Sequence, residues 1–485
     1  MQILKYILII SLTAVVSRTH GQIAFEKTYG NVQEERGEGI IQLPDSSYIV
    51  TGSTSSFGDL STDLLLLKLD SIGDVIWTKT SGGSNVDNGM EIIATSDNHL
   101  AIVGYTNSFG NGGYDVYFLK IDFDGSIVQS RTFGGADWDL GYSIAETNDG
   151  GFVITGETYS SGAGTNDAFV LKIDALGDTV WSKTYGGIGN EIGRSIKEAA
   201  NGDLLLAGET STTGAGEQDA WLIRMDSNGA IIWEQTFGGT DNDRGADMVE
   251  LNNGNIMFVW NTIVPGNDYW STIQSKIDPM TGAVMLQQPF TTPFTYFSHK
   301  IIAVQDKPLT LTVGYTAPTS TLDDMMFFGL DTVGMFFDPT CSGITFGGSG
   351  IDYGKDILAT SDGGFVLVGE RNIGVGYTSV FVVKMMADCI GTGTVINDSI
   401  FVTQIEPVND GKLQIYPNPS NGTIKLKSKE KWNKIQLFSL FGNLLEEHEI
   451  QHEGIIIESQ LTEGTYLLVL TGKNDIHTEK LVIIK

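Results

Sequence analysis

The sequence predicts an all-β fold: a seven-bladed β-propeller of 52-residue, four-stranded repeats, followed by a small immunoglobulin-like β-sandwich. Three observations carry this prediction. Glycine-rich tetrapeptides return at a fixed interval, short alternating segments lie between Asn/Asp/Gly turns, and the composition changes near residue 411. The last of these separates a repetitive body from a tail.

The repeat shows in several markers that share one register. TYGN, TSGG, TFGG, TYGG and TFGG begin at residues 28, 80, 132, 184 and 236, 52 residues apart, and TFGG returns at 345. A marker glycine keeps the same interval, at Gly37, Gly89, Gly141, Gly193, Gly245 and Gly354. Independent markers in one register indicate an array of supersecondary units.

Each unit is predicted to contain four antiparallel strands, which we label A to D in chain order. In residues 141–187 the segments GYSIAET, FVITGET, AFVLKID and TVWSKTYGG alternate β-branched or aromatic residues with polar ones, between turns such as NDGG. One such sheet buries too little surface alone, so the units must pack together. Radial packing gives a propeller, and linear packing gives a solenoid with exposed ends.

The chain termini favour the ring. The A-B-C pattern occurs seven times; the seventh unit lacks a clear strand D, and the first is preceded by an orphan one, QIAFEKTYG. We therefore expect the N-terminal strand to complete the seventh sheet. The sixth unit is irregular, with Gly329 where a cation is expected, no Gly-Gly at Pro289 and an insertion before Cys341. Drift or functional divergence would explain it.

Charge and the N-terminus indicate the compartment. The chain has a net charge of −30, and residues 23–411 hold 18 basic and 50 acidic side chains, which argues against nucleic-acid and anionic-membrane partners. Residues 1–22 have signal-peptide proportions, with an apolar run from Tyr6 to Val16 and cleavage expected near Gly21 or Gln22. The alternative is a buried strand. No later segment is long and apolar enough to be a transmembrane helix.

The turns between strands C and D carry Asp, Gly and Trp at fixed spacing, as in Asp70-Gly73-Trp77. This motif resembles the tryptophan-docking repeat of bacterial quinoprotein propellers, which implies that the tryptophan packs between neighbouring sheets. Gln129 and Leu286 replace the aromatic residue in two units, and the neighbouring cysteines common in that family's cofactor pockets are absent. The repeat is also similar to glycine-rich propellers of secreted surface proteins. We expect no cofactor, with Ca²⁺ as the one candidate.

An acid stands two residues before each marker glycine and supplies the candidate binding residues. We expect them in the D-to-A loops, as a ring of carboxylates around the channel mouth: Glu35, Asp87, Asp139, Glu191, Asp243 and Asp352. Three roles are open: tying the loop by accepting backbone N–H bonds, capturing a cation such as Ca²⁺, or acid catalysis.

Other catalytic and metal-binding signals are sparse. The propeller keeps two histidines, His99 and His299, which we interpret as ordinary surface or turn residues. No GxSxG, HExxH or phosphate-loop pattern occurs, so no catalytic or metal site is predicted.

The tail carries three ordered motifs. They are Tyr416-Pro417-Asn418-Pro419, then Gly464-Thr465-Tyr466, then the terminal run from Lys480 to Lys485. The tail resembles the type A C-terminal sorting domain of the Bacteroidetes type IX secretion system. That resemblance implies transport across the outer membrane by the secretion machinery, cleavage of the tail, and release or surface attachment. The alternative is an unrelated immunoglobulin-like adhesion domain.

These features divide the chain into a signal peptide (1–22), a propeller (23–390), a linker (391–411) and a sorting domain (412–485). Cys341 and Cys389 are placed on neighbouring units, where they either form a disulfide or remain free thiols. We expect a secreted or cell-surface protein that binds a glycan or a protein, without intrinsic chemistry. The alternative is a propeller hydrolase or lyase that acts on extracellular polysaccharide, and convergence of acids with His or Tyr in one pocket would favour it.

Overall fold

The structure is a computed structural model, and every element in its described residues is a β-strand. It describes residues 23–386, apart from 31–32, 57–60, 265, 267–268, 291–294, 305–306, 308, 318–322, 332–343, 348–349 and 375–376. In the tail it describes 400–402, 413–416, 423–428, 432–439, 444–449, 455–458, 464–472 and 476–483. Within these ranges, no helix is present that could cross a membrane.

Seven antiparallel sheets follow one another along the chain, as the period predicts, and we number them 1 to 7. Sheet 1 contains β2 (Glu35–Gln42), β3 (Tyr48–Thr54), β4 (Asp63–Leu69) and β5 (Val75–Ser81). Sheet 2 contains β6 (Asp87–Ala94), β7 (Leu100–Thr106), β8 (Asp115–Ile121) and β9 (Ile127–Phe133). Sheet 3 contains β10 (Asp139–Glu146), β11 (Phe152–Thr158), β12 (Asp167–Ile173) and β13 (Thr179–Tyr185). Sheets 4 and 5 contain β14 (Glu191–Glu198), β15 (Leu204–Thr210), β16 (Asp219–Met225), β17 (Ile231–Phe237); β18 (Asp243–Glu250), β19 (Ile256–Ile263), β20 (Trp270–Ile277) and β21 (Val284–Pro289).

Sheet 6 keeps four strands despite its irregular sequence, although its strand D has only three residues. It contains β22 (Thr295–Ala303), β23 (Leu309–Ala317), β24 (Asp324–Asp331) and β25 (Ile344–Phe346). Sheet 7 has the order β26-β27-β28-β1-β29, where the strands are β26 (Asp352–Ala359), β27 (Phe365–Gly374), β28 (Tyr377–Met385), β1 (Ile23–Tyr29) and β29 (Ile400–Val402).

The N-terminal strand lies where the orphan-strand argument predicts. β1 pairs antiparallel with β28, from Ile23↔Met385 to Tyr29↔Val380. β29 lies within the predicted linker and pairs parallel with β1. β2 of sheet 1 packs against sheet 7, and the Ile40 N–H donates to Asp356 Oδ2 at 3.0 Å. These contacts support closure of the sheets into a ring, which stays a prediction tested in the Discussion.

Burial within a sheet follows strand order. In sheet 3, strands B and C (β11 and β12) are buried along their whole length, whereas strand D (β13) is largely exposed. The apolar core lies between successive sheets: Val103 and Phe118 of sheet 2 pack with Ile144 and Phe152 of sheet 3. Repeated β-branched and aromatic residues thus form one interface after another.

The tryptophans of the C-to-D turns pack between neighbouring sheets, which confirms that prediction. Trp77 packs with the core formed by sheets 1 and 2, beside Phe123. The Trp233 indole N–H of sheet 4 donates to the Pro279 carbonyl of sheet 5 at 2.8 Å. Each such ring covers the outer edge of the interface between two sheets.

The tail forms two further antiparallel sheets. One contains β30 (Leu413–Tyr416), β31 (Thr423–Ser428) and β34 (Ile455–Glu458). The other has the order β33 (Leu444–Glu449), β32 (Trp432–Ser439), β35 (Gly464–Gly472) and β36 (Ile476–Ile483). The described residues of the tail thus form seven strands in two sheets, and the stacking of these sheets as a sandwich stays a prediction.

Candidate functional site

The six predicted carboxylates are buried, and Asp87, Asp139, Glu191 and Asp243 each accept a backbone N–H from the loop that precedes their strand. Each is the first residue of a strand A rather than part of the D-to-A loop, which corrects the expected position by one element boundary. Asp87 Oδ2 accepts the Gly83 N–H at 2.8 Å and the Ser108 hydroxyl at 2.7 Å. The same backbone bond, from the residue four positions earlier, is made to Asp139 at 2.7 Å, Glu191 at 2.9 Å and Asp243 at 2.8 Å.

This geometry is that of the loop-tying role. The six side chains belong to residues at most 6% exposed: Glu35, Asp87, Asp139, Glu191, Asp243 and Asp352. Among the described residues, none of them lines the central cavity defined below. Capture of Ca²⁺ or a ligand by this ring of carboxylates stays a prediction. Within the described residues, no cluster of three or more metal-ligating side chains could hold a metal ion.

A second repeated acid, missed in the sequence, lies beside the first. Asp115 is the first residue of strand C in sheet 2 and is buried, and its Oδ1 accepts no hydrogen bond. A Cβ on Gly134 would lie 2.1 Å from Asp115 Oδ1 and 2.8 Å from Asp139 Oδ2, so only glycine permits this approach. Burial, and then the Asp139 charge, raise the pKa of Asp115.

All seven strands A contain a β-bulge at one equivalent residue. In sheet 2, Gly89 pairs with Gly104 and Glu91 with Val103, which leaves Met90 as the extra residue. The seven bulge residues are Glu38, Met90, Tyr142, Arg194, Ala246, His299 and Lys355. The strand B glycine holds this arrangement, since a Cβ on Gly104 would lie 1.8 Å from the Asn88 carbonyl oxygen. A bulge redirects the side chain it carries.

The bulge residues surround a central cavity of about 270 Å³. Its lining comes from all seven sheets and includes all seven bulge residues. The cavity lies towards the end of the sheets where strands A begin and strands B end, the end that carries the D-to-A and B-to-C loops. Side chains far apart in sequence therefore meet at one place.

Three carboxylates and one ammonium group form the floor of the cavity. Lys300 pairs with Glu91, 209 residues away, and the charges of Glu91, Asp247 and Asp356 raise the pKa of Lys300 despite its burial. Burial alone would raise the pKa of Asp247, but the charges of Lys197 and Lys300 lower it below its usual value.

The floor carboxylates also bind the neighbouring sheet. Glu91 accepts the Ile144 N–H at 2.8 Å, and Asp247 accepts the Ile301 N–H at 3.0 Å. Each bond joins a carboxylate of one sheet to strand A of the next. The floor is therefore a charged network fixed by backbone donors.

Cations and the phenol of Tyr142 form part of the wall. Arg194 pairs with Glu209 at 2.6 Å, and its guanidinium lies 5.4 Å from the centre of the Tyr142 ring. The Tyr142 hydroxyl donates to Glu157 at 2.5 Å. On the opposite side, Lys355 Nζ lies 3.3 Å from Glu370 and 3.8 Å from Glu38. Each wall cation thus faces at least one carboxylate.

His299 corrects a prediction. We interpreted it as an ordinary surface or turn residue, but it is a bulge residue of the cavity wall. Burial, and then the Lys355 and Arg194 charges, hold the pKa of His299 well below its usual value, so the imidazole is neutral at pH 7. Its ring centre lies 5.2 Å from that of Phe297 and 5.9 Å from that of Tyr315. By contrast, His99 lies in a turn beside Asp97.

The sequence contained a signal for these residues. The residue that follows the marker glycine differs in all six units that have this glycine, and His299, which follows Ser298 at the equivalent position of sheet 6, differs again. A position that varies inside a repeated frame is free of the demands of the fold. That variation, and not the repeated acid, marks the cavity wall.

The remaining predicted residues lie elsewhere. Gly464 and Tyr466 belong to β35, where they pair with Ile483 and Leu481, and Lys480 of β36 pairs with Leu467. Pro417, Asn418, Pro419, Lys485, Cys341 and Cys389 lie outside the described residues. The disulfide stays a prediction, and two alkylatable thiols in the non-reduced protein would refute it.

Comparison with known proteins identifies the tail. Residues 414–485 match the family model of the secretion system C-terminal sorting domain. The tail is a sorting domain. It indicates export through type IX secretion to the cell surface or the extracellular space.

The body has more distant similarities. The chain is 29% identical over 182 residues to the regulatory protein FlaEY of Caulobacter vibrioides, an alignment that covers 32% of this chain and 19% of that protein. It therefore spans about a fifth of that relative's length.

Similar solved structures share little sequence with this chain. PorZ, a surface component of the type IX secretion system of Porphyromonas gingivalis, is 11% identical, with 94% of this chain and 75% of that chain covered and a TM-score of 0.33. A puromycin hydrolase is 12% identical, with 90% and 58% covered and a TM-score of 0.46. A PL25 ulvan lyase is 9% identical, with 76% and 95% covered and a TM-score of 0.47. Likeness at this level carries no argument about ligand or activity.

Proposed function

We propose that the protein is an exported propeller that binds an extracellular ligand in the central cavity, and that the seven bulge residues determine which ligand it accepts. One observation carries the proposal. At one structural position in seven repeated sheets, the chain has seven different side chains, and all of them line one cavity. Clefts with a few placed polar groups among apolar surfaces are the usual form of ligand sites.

The route of export completes this proposal. Residues 1–22 act as the signal peptide, and the secretion machinery recognises the sorting domain and cleaves the tail within residues 391–411. The mature propeller is then released or attached to the surface. The match of the tail to the sorting domain supports this route.

Binding without chemistry is favoured by the charge pairing in the cavity. Glu209 is paired with Arg194, Asp247 with Lys197, and Glu91 with Lys300. The charges of Lys197 and Lys300 lower the pKa of Asp247, which makes this carboxylate a poor proton donor. General acid catalysis requires the opposite shift.

A hydrolase or lyase acting on polysaccharide is the second candidate, and one observation favours it. Acids from several sheets converge with the neutral imidazole of His299 and the hydroxyl of Tyr142 in one cavity. A neutral imidazole is able to accept a proton. Incubation of the protein with extracellular polysaccharides tests this candidate: new reducing ends or unsaturated uronate products that disappear in His299→Ala would establish it.

Binding is tested with an array of extracellular glycans and proteins, probed with residues 23–485. Arg194→Ala introduces the residue that sheet 5 has at the same position, Ala246, so the sheet should still fold. We expect this variant to lose the array signal. The matched control is Arg131→Ala, which removes an exposed cation from the outer strand β9 and should leave the signal unchanged. Equal signals from both variants would contradict the proposal.

Export is tested by deleting residues 461–485. The truncated protein should accumulate in the periplasm, because the sorting domain is the feature that directs it across the outer membrane. Its unchanged appearance in the medium or on the surface would contradict this route.

A further inference from the structure

Four aromatic residues form a continuous cluster between sheets 2 and 3, which we call the aromatic platform: Tyr105, Tyr114, Trp138 and Tyr159. Neighbouring ring centres lie 5.4 Å apart for Tyr105 and Tyr114, 5.6 Å for Tyr114 and Trp138, and 5.9 Å for Trp138 and Tyr159. Trp138 is 51% exposed and Tyr159 is 37% exposed. Aromatic surface of this extent, on the same end of the sheets as the cavity, has no role in the core.

The exposed rings are held in place by the backbone. The Tyr159 N–H donates to the Trp138 carbonyl, and the Asp139 N–H donates to the Tyr114 carbonyl. A Cβ on Gly113 would lie 2.3 Å from Trp138 Cδ1, so the indole packs directly on the backbone there. A rigid exposed aromatic side chain loses little entropy when a ligand covers it.

The fold does not require aromatic residues at these positions. The same backbone hydrogen bonds occur one sheet further on, where Asn190, Asn166 and Ser211 replace Trp138, Tyr114 and Tyr159. The platform is therefore an addition to a repeated frame, as the bulge residues are.

Tyr105 lies near the cavity without lining it, since its phenol interacts electrostatically with two lining residues, Glu38 and Tyr142. The Tyr105 hydroxyl accepts from Asn88 Nδ2 at 2.9 Å, two residues before the bulge residue Met90. Burial raises the pKa of Tyr105, and the nearby charge of Glu38, a bulge residue of sheet 1, adds to the shift. The chain of ring contacts from Tyr105 through Tyr114 to Trp138 therefore starts beside the cavity and ends at the exposed indole.

The charges around this path favour a neutral ligand. The cavity lining has five carboxylates and four cations, which leaves no surplus of positive charge for an anionic chain. Asp137 adds an exposed acid beside Trp138, and the whole protein carries a net charge of −30, which repels polyanions. Paired donors and acceptors next to aromatic faces suit a molecule with many hydroxyls and apolar C–H faces.

We propose that the ligand is a neutral glycan, with one end in the central cavity and its next sugar units stacked on the aromatic platform. This inference rests on the proposed binding function and names the class of ligand. An anionic glycan and a protein partner are the competing occupants, and the experiment below distinguishes them.

The test is calorimetric titration of residues 23–485 with neutral oligosaccharides of two to six units (cello-, xylo-, manno- and laminari-series), and with oligouronates of equal length. We expect one neutral series to bind, with an affinity that rises with length. Trp138→Asn, which introduces the residue of sheet 4, should weaken hexasaccharide binding about tenfold and leave disaccharide binding within about twofold. The control Ile188→Ala removes an exposed apolar side chain from the equivalent loop one sheet on, and should change neither.

The outcomes separate this inference from the function on which it rests. Tighter binding of oligouronates, no binding of any neutral series at millimolar concentration, or equal affinities for Trp138→Asn and Ile188→Ala would overturn the neutral-glycan proposal. If Arg194→Ala abolishes binding of the disaccharide while Trp138→Asn changes no affinity, the cavity is the binding site and the proposed role of the aromatic platform is wrong. If Arg194→Ala leaves binding intact, the cavity itself is not the site.

Discussion

Two neighbouring positions of the repeat behave in opposite ways. Strand B has a glycine at one equivalent position in six of the seven sheets, and sheet 5 has Trp260 there instead; the glycines are Gly52, Gly104, Gly156, Gly208, Gly314 and Gly369. The bulge residue, which directly follows the strand A partner of this position, is different in every sheet. The glycine is fixed by a backbone approach that leaves no room for a Cβ. The bulge residue lines the cavity in every sheet.

This contrast shows how a repeated fold acquires a specific site. The interfaces between sheets reuse the same residue types from one sheet to the next, because each sheet packs on its neighbours in one way. The cavity needs different residues, because seven equivalent side chains would form a symmetric ring with no distinct directions. A residue that the fold requires and a residue that lines the cavity are therefore adjacent in strand A, as Gly89 and Met90 are.

Removal of the N-terminal strand should break the scaffold most severely. Deletion of residues 23–30 leaves β28 as an open edge and removes the buried Phe25 and Tyr29 from their apolar cluster. We expect the melting temperature to fall by more than about 10 °C. Deletion of residues 400–402 is the control, since β29 pairs with β1 over three residues only. An unchanged melting temperature after the first deletion would show that this strand does not close a ring.

Single substitutions in sheet 2 compare the two positions directly. Gly104→Ala should lower the free energy of unfolding by about 3 kcal/mol, because the new methyl group overlaps the Asn88 carbonyl. Met90→Ala, at the bulge, should cost less than about 1 kcal/mol. Urea unfolding followed by tryptophan fluorescence measures both. A cost for Met90→Ala equal to that of Gly104→Ala would mean that the bulge residues belong to the scaffold.

The acid pair at the Gly-Gly loop should give a smaller, pH-dependent effect. The pKa of Asp115 is raised, so the stability that its protonated form gives is lost as pH rises from the usual carboxyl value through the raised one. Asp115→Asn should therefore raise the melting temperature at pH 7.5 and raise it less at pH 4.

Asp139→Asn is the matched control for this pair. Asp139 accepts the Gly135 N–H at 2.7 Å and the Ser160 hydroxyl at 2.7 Å, so the substitution should lower the melting temperature at both pH values. Thermal melts of the two variants at both pH values decide the matter. Destabilisation by Asp115→Asn at pH 7.5 would show that its carboxylate is needed.

The scaffold was predictable because its signals are periodic. A 52-residue register fixed the sheets, and an orphan strand at one end matched a missing one at the other, as the pairing of Tyr29 with Val380 confirms. The bulge in strand A could not be predicted, because an extra residue that occurs in every repeat does not change the interval between repeats. The pairing of Glu91 with Lys300 joins units far apart in sequence and has no local signal.

Two features could have been found in the sequence. Asp63, Asp115, Asp167 and Asp219 recur at the same 52-residue interval as the acids that we selected. The change of residue type from Tyr142 to Arg194 to His299 was equally visible. Selecting positions for their repetition found the acids that tie loops, whereas the cavity wall is found by selecting for variation.

The central claim is that the bulge side chains line the ligand site while the scaffold holds them. Ala246→Trp tests it most directly, because Ala246 is the smallest bulge residue and a tryptophan there would fill the cavity. Ala175→Trp, in an exposed turn between strands C and D of sheet 3, is the control. Melting temperature and array binding are measured for both. We expect Ala246→Trp to melt within about 3 °C of the parent protein and to lose binding, whereas unchanged binding with the cavity filled would contradict the claim.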